Sequence, residues 1–315
     1  MSAAYKTETE QASAQYINSN FVRKLEEGRT KEAEAEGSAF VRQRLRQESF
    51  AREIIEPILL QDDELDRDEN SDMPKKIVEK EPDSIATFVP FNGSGRATFF
   101  RGKRFAVYFG KTESQHFKTR KWNLMTYQND IRKILSDNSV KDMSDQEDQK
   151  FTDTINGLIA LNLATQRTQA ASFGSSAFKK GFQALVHRKQ PIGKMLMAKE
   201  LYYEAIDLPA TSVGNDVASR HYDLGIEAEE KLWGIPVVSS IKNEIIDNPS
   251  TDPTIGRRSA YIFAPQNYLG VFFLLQDATL YIKQEADLIE FWSYAAPGIG
   301  IGNTLAFQRI DFPLL

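Results

Sequence analysis

Between Ile85 and Phe109 apolar and polar positions alternate. Ile85, Thr87, Val89 and Phe91 fall on one side of an extended chain. After the turn residues NGSGR (92–96), Phe105, Val107 and Phe109 alternate with Arg104, Ala106 and Tyr108. A period of two is a strand signal, and Asn-Gly-Ser-Gly is hairpin-loop chemistry. The pattern predicts a long antiparallel hairpin over residues 84–111 with a basic tip. Two strands alone are barely stable in water, so this ribbon needs a surface to lie on.

The flanking patterns differ. Residues 1–56 read as helical, charged and weakly apolar. RKLEEGRTKEAEAEG reads as a solvated helix or a flexible arm, and FVRQRLRQESFAREII sets Val41, Leu45, Ile54 and Ile55 at helical spacing before Pro57 ends it. The segment is too polar to hold a core of its own, so it is expected either to be disordered or to pack on something outside its own lobe, with other copies of the chain as the expected source of order. QDDELDRDENSD (61–72) reads as an exposed acidic loop or a short helix. It fails as a calcium loop, because counting from Asp62 its sixth position is Arg67 and its twelfth is Met73.

After the hairpin, Tyr127, Ile131, Ile134 and Leu135 form a helical stripe. Ser144 and Glu147 have the spacing of a capping box, followed by Phe151, Ile155, Leu158 and Ile159 on one face. The pair predicts one long helix, bent or broken between Asn138 and Asp142. FKKGFQALVHRKQPIGKMLMAKELYYEAIDLP predicts two more helices split at Pro191. From Ala210 onward KLWGIPVVSSI, SAYIFAP, LGVFFLL, ATLYIKQ, LIEFWSYAA and IGNTLAFQRIDF are short, β-branched or aromatic, and bounded by turn residues. Helices precede strands instead of alternating with them, so the fold class is α+β.

Composition narrows the function more than it defines it. The chain has 315 residues, 41% hydrophobic and 26% charged, with a formal net charge of −5 and no cysteine. That is ample for a core, gives no bulk attraction to duplex nucleic acid, and removes thiolate chemistry and disulfides. MSAAYKTETEQ has no apolar stretch of the signal-peptide kind. His116, His187 and His221 are far apart and show no zinc spacing. No G-x-S-x-G elbow occurs. PGIGIGN (297–303) resembles a phosphate loop, but a strand follows it where a helix is needed. Carboxylate pairs such as Glu229 and Glu230 are ordinary in a chain this charged. The aromatic and basic hairpin has the ingredients of a single-strand nucleic-acid surface, although such alternation usually marks one packed and one solvated face. Hence no catalytic residue, cofactor or metal ligand is expected. An arm without a core, a ribbon without a sheet and no reaction centre fit a protein whose missing surfaces belong to other copies.

In order, these pieces resemble the major capsid proteins of tailed bacteriophages, with their Hong Kong 97-like fold. EPDSIATFVPFNGSGRATFFRGKRFAVYFGKTES resembles the extended loop of that family. YQNDIRKILSDNSVKDMSDQEDQKFTDTINGLIA resembles its spine helix, and EEKLWGIPVVSSI its axial-domain strand. YIFAPQNYLG and GNTLAFQRIDF resemble its late strands. The resemblance implies an N-terminal arm (1–56), an acidic connector opening the peripheral domain (57–83), an extended loop (84–120), spine and peripheral helices (121–209), an axial domain (210–300) and a C-terminal strand (301–315). It implies a structural shell protein, not an enzyme, that forms hexamers and pentamers of an icosahedral head around double-stranded DNA. Scaffolding, portal and decoration proteins would be its partners, with non-specific DNA contact and no membrane. It would be assembled in a host cytoplasm and located in the virion. An encapsulin-type nanocompartment shell shares the fold and is the alternative; an enzyme with an unrecognised site is the alternative of another class. The extended loop of the family lies across a neighbouring subunit, so Arg96, Phe99, Phe100, Arg101, Lys103, Arg104, Phe105, Val107 and Phe109 are expected at an inter-subunit contact. The acidic run 62–72 of another copy is the complementary surface for the basic tip.

Overall fold

The computed structural model describes residues 8–68, 70–71, 73–80, 88–94, 102–127, 130–162, 164–206, 231–247 and 257–313. Three helices open the chain: α1 (Glu8–Glu26), α2 (Thr30–Glu48) and α3 (Phe50–Ile54). Short strands follow, β1 (Pro57–Leu59), β2 (Asp66–Arg67), β3 (Pro74–Lys80), β4 (Lys103–Tyr108), β5 (Thr112–Glu113) and β6 (Phe117–Arg120). Next are α4 (Lys121–Thr126), α5 (Ile131–Ile134) and α6 (Lys141–Asn162), then β7 (Arg167–Gln169), α7 (Ser175–His187), β8 (Lys194–Ala198) and α8 (Lys199–Ile206). The remaining strands are β9 (Lys231–Leu232), β10 (Ile235–Ser240), β11 (Arg257–Phe263), β12 (Val271–Glu285), β13 (Leu288–Gly300) and β14 (Phe307–Pro313).

The α+β class holds. Among the described residues one sheet runs β1-β12-β13, with both β5 and β6 on β13. A second runs β7-β14-β11-β8-β10-β9, and β2-β3-β4 form a separate ribbon. The block 210–300, expected as one unit, is therefore divided: β9 to β11 enter the second sheet, while the β12–β13 hairpin builds the first. Gly270 marks the crossing, where a Cβ would stand 2.3 Å from the Gly300 carbonyl oxygen. GVFFLL and ATLYIKQ, expected as two strands, merge into one bulged strand, β12.

Two helical expectations change. The segment after Pro191 was expected to be helical throughout, but Lys194–Ala198 is a strand, parallel to β10 and antiparallel to β11. Met, Leu and Ala favour helices weakly, and burial of Met195, Leu196, Met197 and Ala198 between neighbouring strands outweighs that preference. The bend predicted near Asn138 is a π-helical stretch, Leu135–Val140, that carries α5 into α6 without a break. Trp233 and Gly234 form the two-residue β9–β10 turn with φ of 52° and 78°, the primed geometry hairpins favour. Ring contacts with Phe178 and Phe182, at 5.2 and 5.8 Å, hold Trp233 there.

The arm departs most from expectation, because its own chain orders it. Ala33, Gly37, Val41 and Leu45 recur every fourth residue, a narrow stripe of small and aliphatic groups in an otherwise charged helix. A Cβ on Gly37 would lie 2.3 Å from Leu280 Cδ2, so the glycine lets α2 press onto β12. Helix α2 also closes an open strand edge. Leu280 N–H donates to Ser38 Oγ (2.9 Å), Ile282 N–H donates to Glu34 Oε1 (3.0 Å), and Arg42 Nε donates to the Ala278 carbonyl (2.8 Å). Side chains of a helix thus satisfy backbone groups that a further strand would otherwise take.

Candidate assembly surface

The ribbon answers in part what the predicted hairpin lies on. β4 pairs antiparallel with β3, from Lys75↔Tyr108 to Lys80↔Lys103. The partner is thus residues 74–80, ahead of the 85–91 stretch that alternation suggested. Residues 81–87 and 95–101 lie outside the described residues, and 88–94 are not strand. At its root the ribbon rests on its own chain. Val107 and Phe109 are buried with Leu60 and Phe273, and Phe105 packs beside them. They lie along Gly298, Gly300 and Gly302, where added Cβ atoms would meet Phe109 at 2.6 Å, Val107 at 2.4 Å and Phe105 at 2.6 Å. PGIGIGN is therefore a side-chain-free track for β4, and alternate glycines are what a strand needs to present one flat face.

The nine residues expected at an inter-subunit contact separate accordingly. Phe105, Val107 and Phe109 spend their apolar face on the glycine track. Arg104 is exposed and pairs with Glu79 across the ribbon at 2.6 Å, while Lys103 is exposed opposite Lys80. Arg96, Phe99, Phe100 and Arg101 lie outside the described residues. The acidic run is also partly engaged at home: Asp68 pairs with Lys75 at 2.9 Å and Glu64 with Lys76 at 3.6 Å. The feature that sequence reasoning passed over is the loop end, where Phe88 and Phe91 are 102% and 108% exposed. Alternation set Phe91 on one face of a strand with Ile85, Thr87 and Val89, and left Phe88 on the other.

Beneath the ribbon, two consecutive residues of α6 tie the fold together. Glu147 receives a two-pronged pair from Arg52, Nε at 2.7 Å and Nη2 at 2.8 Å, and Arg52 Nη1 reaches Asp277 at 3.2 Å. Asp148 accepts from Ser49 Oγ (2.9 Å), Ala51 N–H (3.0 Å) and Lys242 Nζ (2.5 Å); Lys242 also donates to Ser144 Oγ. Ser144 and Glu147, read as a helix-starting cap, thus sit inside α6 as buried partners of the arm and of the loop after β10. The capping serine is Ser49, whose Oγ accepts the Arg52 N–H at the start of α3.

Burial raises two of the acids. Burial pushes the Asp148 carboxyl up to about 6, against the pull of Lys242, Ala51 N–H and Ser49. It raises Asp247 to about 6 as well, opposed by the Ser259 N–H and Arg258. Lys150, a half-buried residue of α6 that reaches the Pro297 carbonyl at 3.3 Å, is lowered by burial. His116 is the one histidine in a tight cluster among the described residues. It stacks on Trp292 at 4.6 Å and sits between Glu290 (3.0 Å) and Glu113 (3.1 Å), which raise its pKa. Among the described residues no group of three or more acidic, histidine or cysteine side chains is placed to hold a metal ion. No described helix is long and apolar enough to cross a membrane.

No protein-family model matches this sequence, and no curated protein matches it. Solved structures do. The chain resembles the mature capsid asymmetric unit of bacteriophage PhiM1 at a TM-score of 0.55 and 10% identity, over 85% of this chain and 88% of that one. A chain of Microbacterium phage Oxtober96 aligns at 0.54 and 8% identity, covering 84% and 91%. The capsid of cyanophage P-SCSP1u aligns at 0.52 and 13% identity, covering 79% and 86%. The likeness is one of fold and spans most of the chain.

Proposed function

We propose that this chain, which has the Hong Kong 97-like fold of tailed-phage capsid chains, is a major capsid protein that builds an icosahedral head from hexamers and pentamers around double-stranded DNA. The observation that carries this reading is the pairing of that fold with a ribbon whose loop end leaves Phe88 and Phe91 fully exposed among the described residues. In this reading residues 8–54 are the arm, the ribbon and its loop are the extended loop, and α5 through α6 is the spine. The sheet β1-β12-β13-β5/β6 is the peripheral domain and the six-stranded sheet with α7 and α8 is the axial domain. Arg96, Phe99, Phe100, Arg101 and Lys103, with the Phe88–Phe91 end, face another copy. Scaffolding, portal and decoration proteins are its partners during assembly in a host cytoplasm, and the packaged DNA is touched without sequence preference. Nothing catalytic is assigned.

Electron microscopy and sedimentation of the purified chain test this. Closed megadalton shells are expected. A monomer or small oligomer at every concentration overturns the assembly reading. Particles from the native host that contain enzyme and no DNA move the reading to a nanocompartment shell. Each contact need only be modest, because a closed shell multiplies it.

A further inference from the structure

Resting on that assembly reading, we infer that the aromatic loop end Phe88–Phe91 of one copy seats in the groove between α1, α2 and α5 of a second copy. The groove is an apolar cleft of about 280 Å³ walled by Ile17, Phe21, Ala33, Phe40, Ile131 and Leu135. Its rim charges are already paired within the chain, Lys24 with Glu36 at 2.6 Å and Arg132 with Asp130 at 3.3 Å. The loop segment FVPFNGS, Phe88 to Ser94, carries no charge. An uncharged aromatic knob therefore meets an apolar hole whose rim is electrically closed, and neither partner has to strip an unpaired ion of water. Phe88 and Phe91 are the most exposed large hydrophobic residues among those described, at 102% and 108%.

The occupant is a second copy because a chain's own loop is held on the other side of the sheet. The ribbon root lies on the face of β13 that carries Gly298 and Gly300. The groove opens among the helices that cover the opposite face, where Ile289 and Phe291 pack with Val22 and Leu135. Side chains of a strand alternate between faces, so the even-numbered glycines and the odd-numbered core residues point apart. Two phenylalanines bury about 300–500 Å². A stable pairwise interface needs about 1,600 Å². The contact is therefore too small to hold an isolated dimer and acts where many copies repeat it.

The absence of cysteine makes the test direct. Single variants Asn92→Cys, beside the knob, and Asn20→Cys, on the groove, are mixed, co-assembled and oxidised. A disulfide between residue 92 of one chain and residue 20 of another is expected, since in the mixture it forms only between copies. A Phe91→Lys variant, changed at a fully exposed position, is expected to raise the protein concentration needed for assembly at least tenfold with an unchanged monomer melting temperature. If that variant fails to fold, the cross-link decides. Normal particles without the 92–20 disulfide overturn the acceptor and leave the assembly reading standing. A double variant that closes the disulfide within one chain overturns the inference. Failure of the wild-type chain to form particles overturns the assembly reading itself, and the inference falls with it.

Discussion

The helical arm and the ribbon looked alike as sequences: each seemed to lack a surface of its own. In the folded chain they part. The arm is clamped along its length, with Val22, Leu25, Val41, Leu45, Phe50 and Ile55 buried, whereas among the described residues the ribbon packs at its root and its loop carries two exposed phenylalanines. The difference shows that mean polarity is a poor guide to burial. A helix needs only one residue per turn to seat on a sheet, and α2 supplies Ala33, Gly37, Val41 and Leu45 while staying charged elsewhere. The ribbon is richer in aromatics, yet the track Gly298–Gly302 accommodates only Phe105, Val107 and Phe109.

Removing residues 1–54 breaks the comparison most severely. The deletion strips the cover from β12, exposing the Leu280 and Ile282 N–H groups, and the expected outcome is insoluble protein with no cooperative melting transition. A soluble, folded deletion variant would show instead that the arm is dispensable to the monomer. Next in size is Glu147→Ala, which leaves Arg52 buried beside Asp277. Loss of one partner of a buried pair costs about 3–5 kcal/mol. Urea unfolding measures it, and replacing both residues by apolar ones of similar size is expected to recover most of the loss.

Gly300→Val fills the track under Val107, whose Cγ2 would be 2.4 Å from the new Cβ. Overpacking of this kind costs about 1–3 kcal/mol. Faster hydrogen exchange should appear in β3 and β4 and leave the arm unchanged; equal acceleration in both would erase the contrast between the two regions.

A smaller effect links the arm to pH. The Asp148 carboxyl stands at about 6 in the fold against a reference of 3.8, so the folded chain binds a proton that the unfolded chain releases. Its contribution to stability is fully present below about 3.8 and is lost as pH rises through about 6. Asp247 acts with the same sign. Stability contributed by the two carboxyls should therefore fall as pH rises from about 4 through about 6, and Asp148→Asn should flatten the melting-temperature profile there. An unaltered profile would mean that Asp148 is not buried with Ser49 and Lys242. The smallest monomer effect belongs to Phe88→Ser with Phe91→Ser. Exposed positions change stability by about ±0.5 kcal/mol at most. Melting should be unmoved while shell formation is impaired, and a drop of several degrees would show that the loop end packs on its own chain.

Local pattern made several elements legible. The strands β10, β11, β13 and β14 and the helix α6 follow from periods of 2 and 3.6, because each repeats its apolar residues toward one partner. The Lys103–Tyr108 strand was legible for the same reason, but its partner was not. Pairing register depends on which strand is brought alongside, and β3, PKKIVEK, is too charged to announce itself. Glu147 was visible in the sequence as half of a capping box, yet its buried bond to Arg52 spans 95 residues and no local pattern encodes it. The proposed assembly surface was half legible: its basic and aromatic character was plain, while the division between a packed root and exposed Phe88 and Phe91 was not.

By itself the sequence determined the α+β class, the absence of cysteine chemistry and the alternating ribbon, since composition and periodicity are properties of neighbours along the chain. Tertiary structure alone decided that Met195–Ala198 is a strand, that the arm closes the edge of β12, and that PGIGIGN is a bed for Val107. Each of these depends on groups far apart in sequence, whose burial and backbone pairing outweigh the fraction of a kcal/mol by which any residue prefers one local conformation to another.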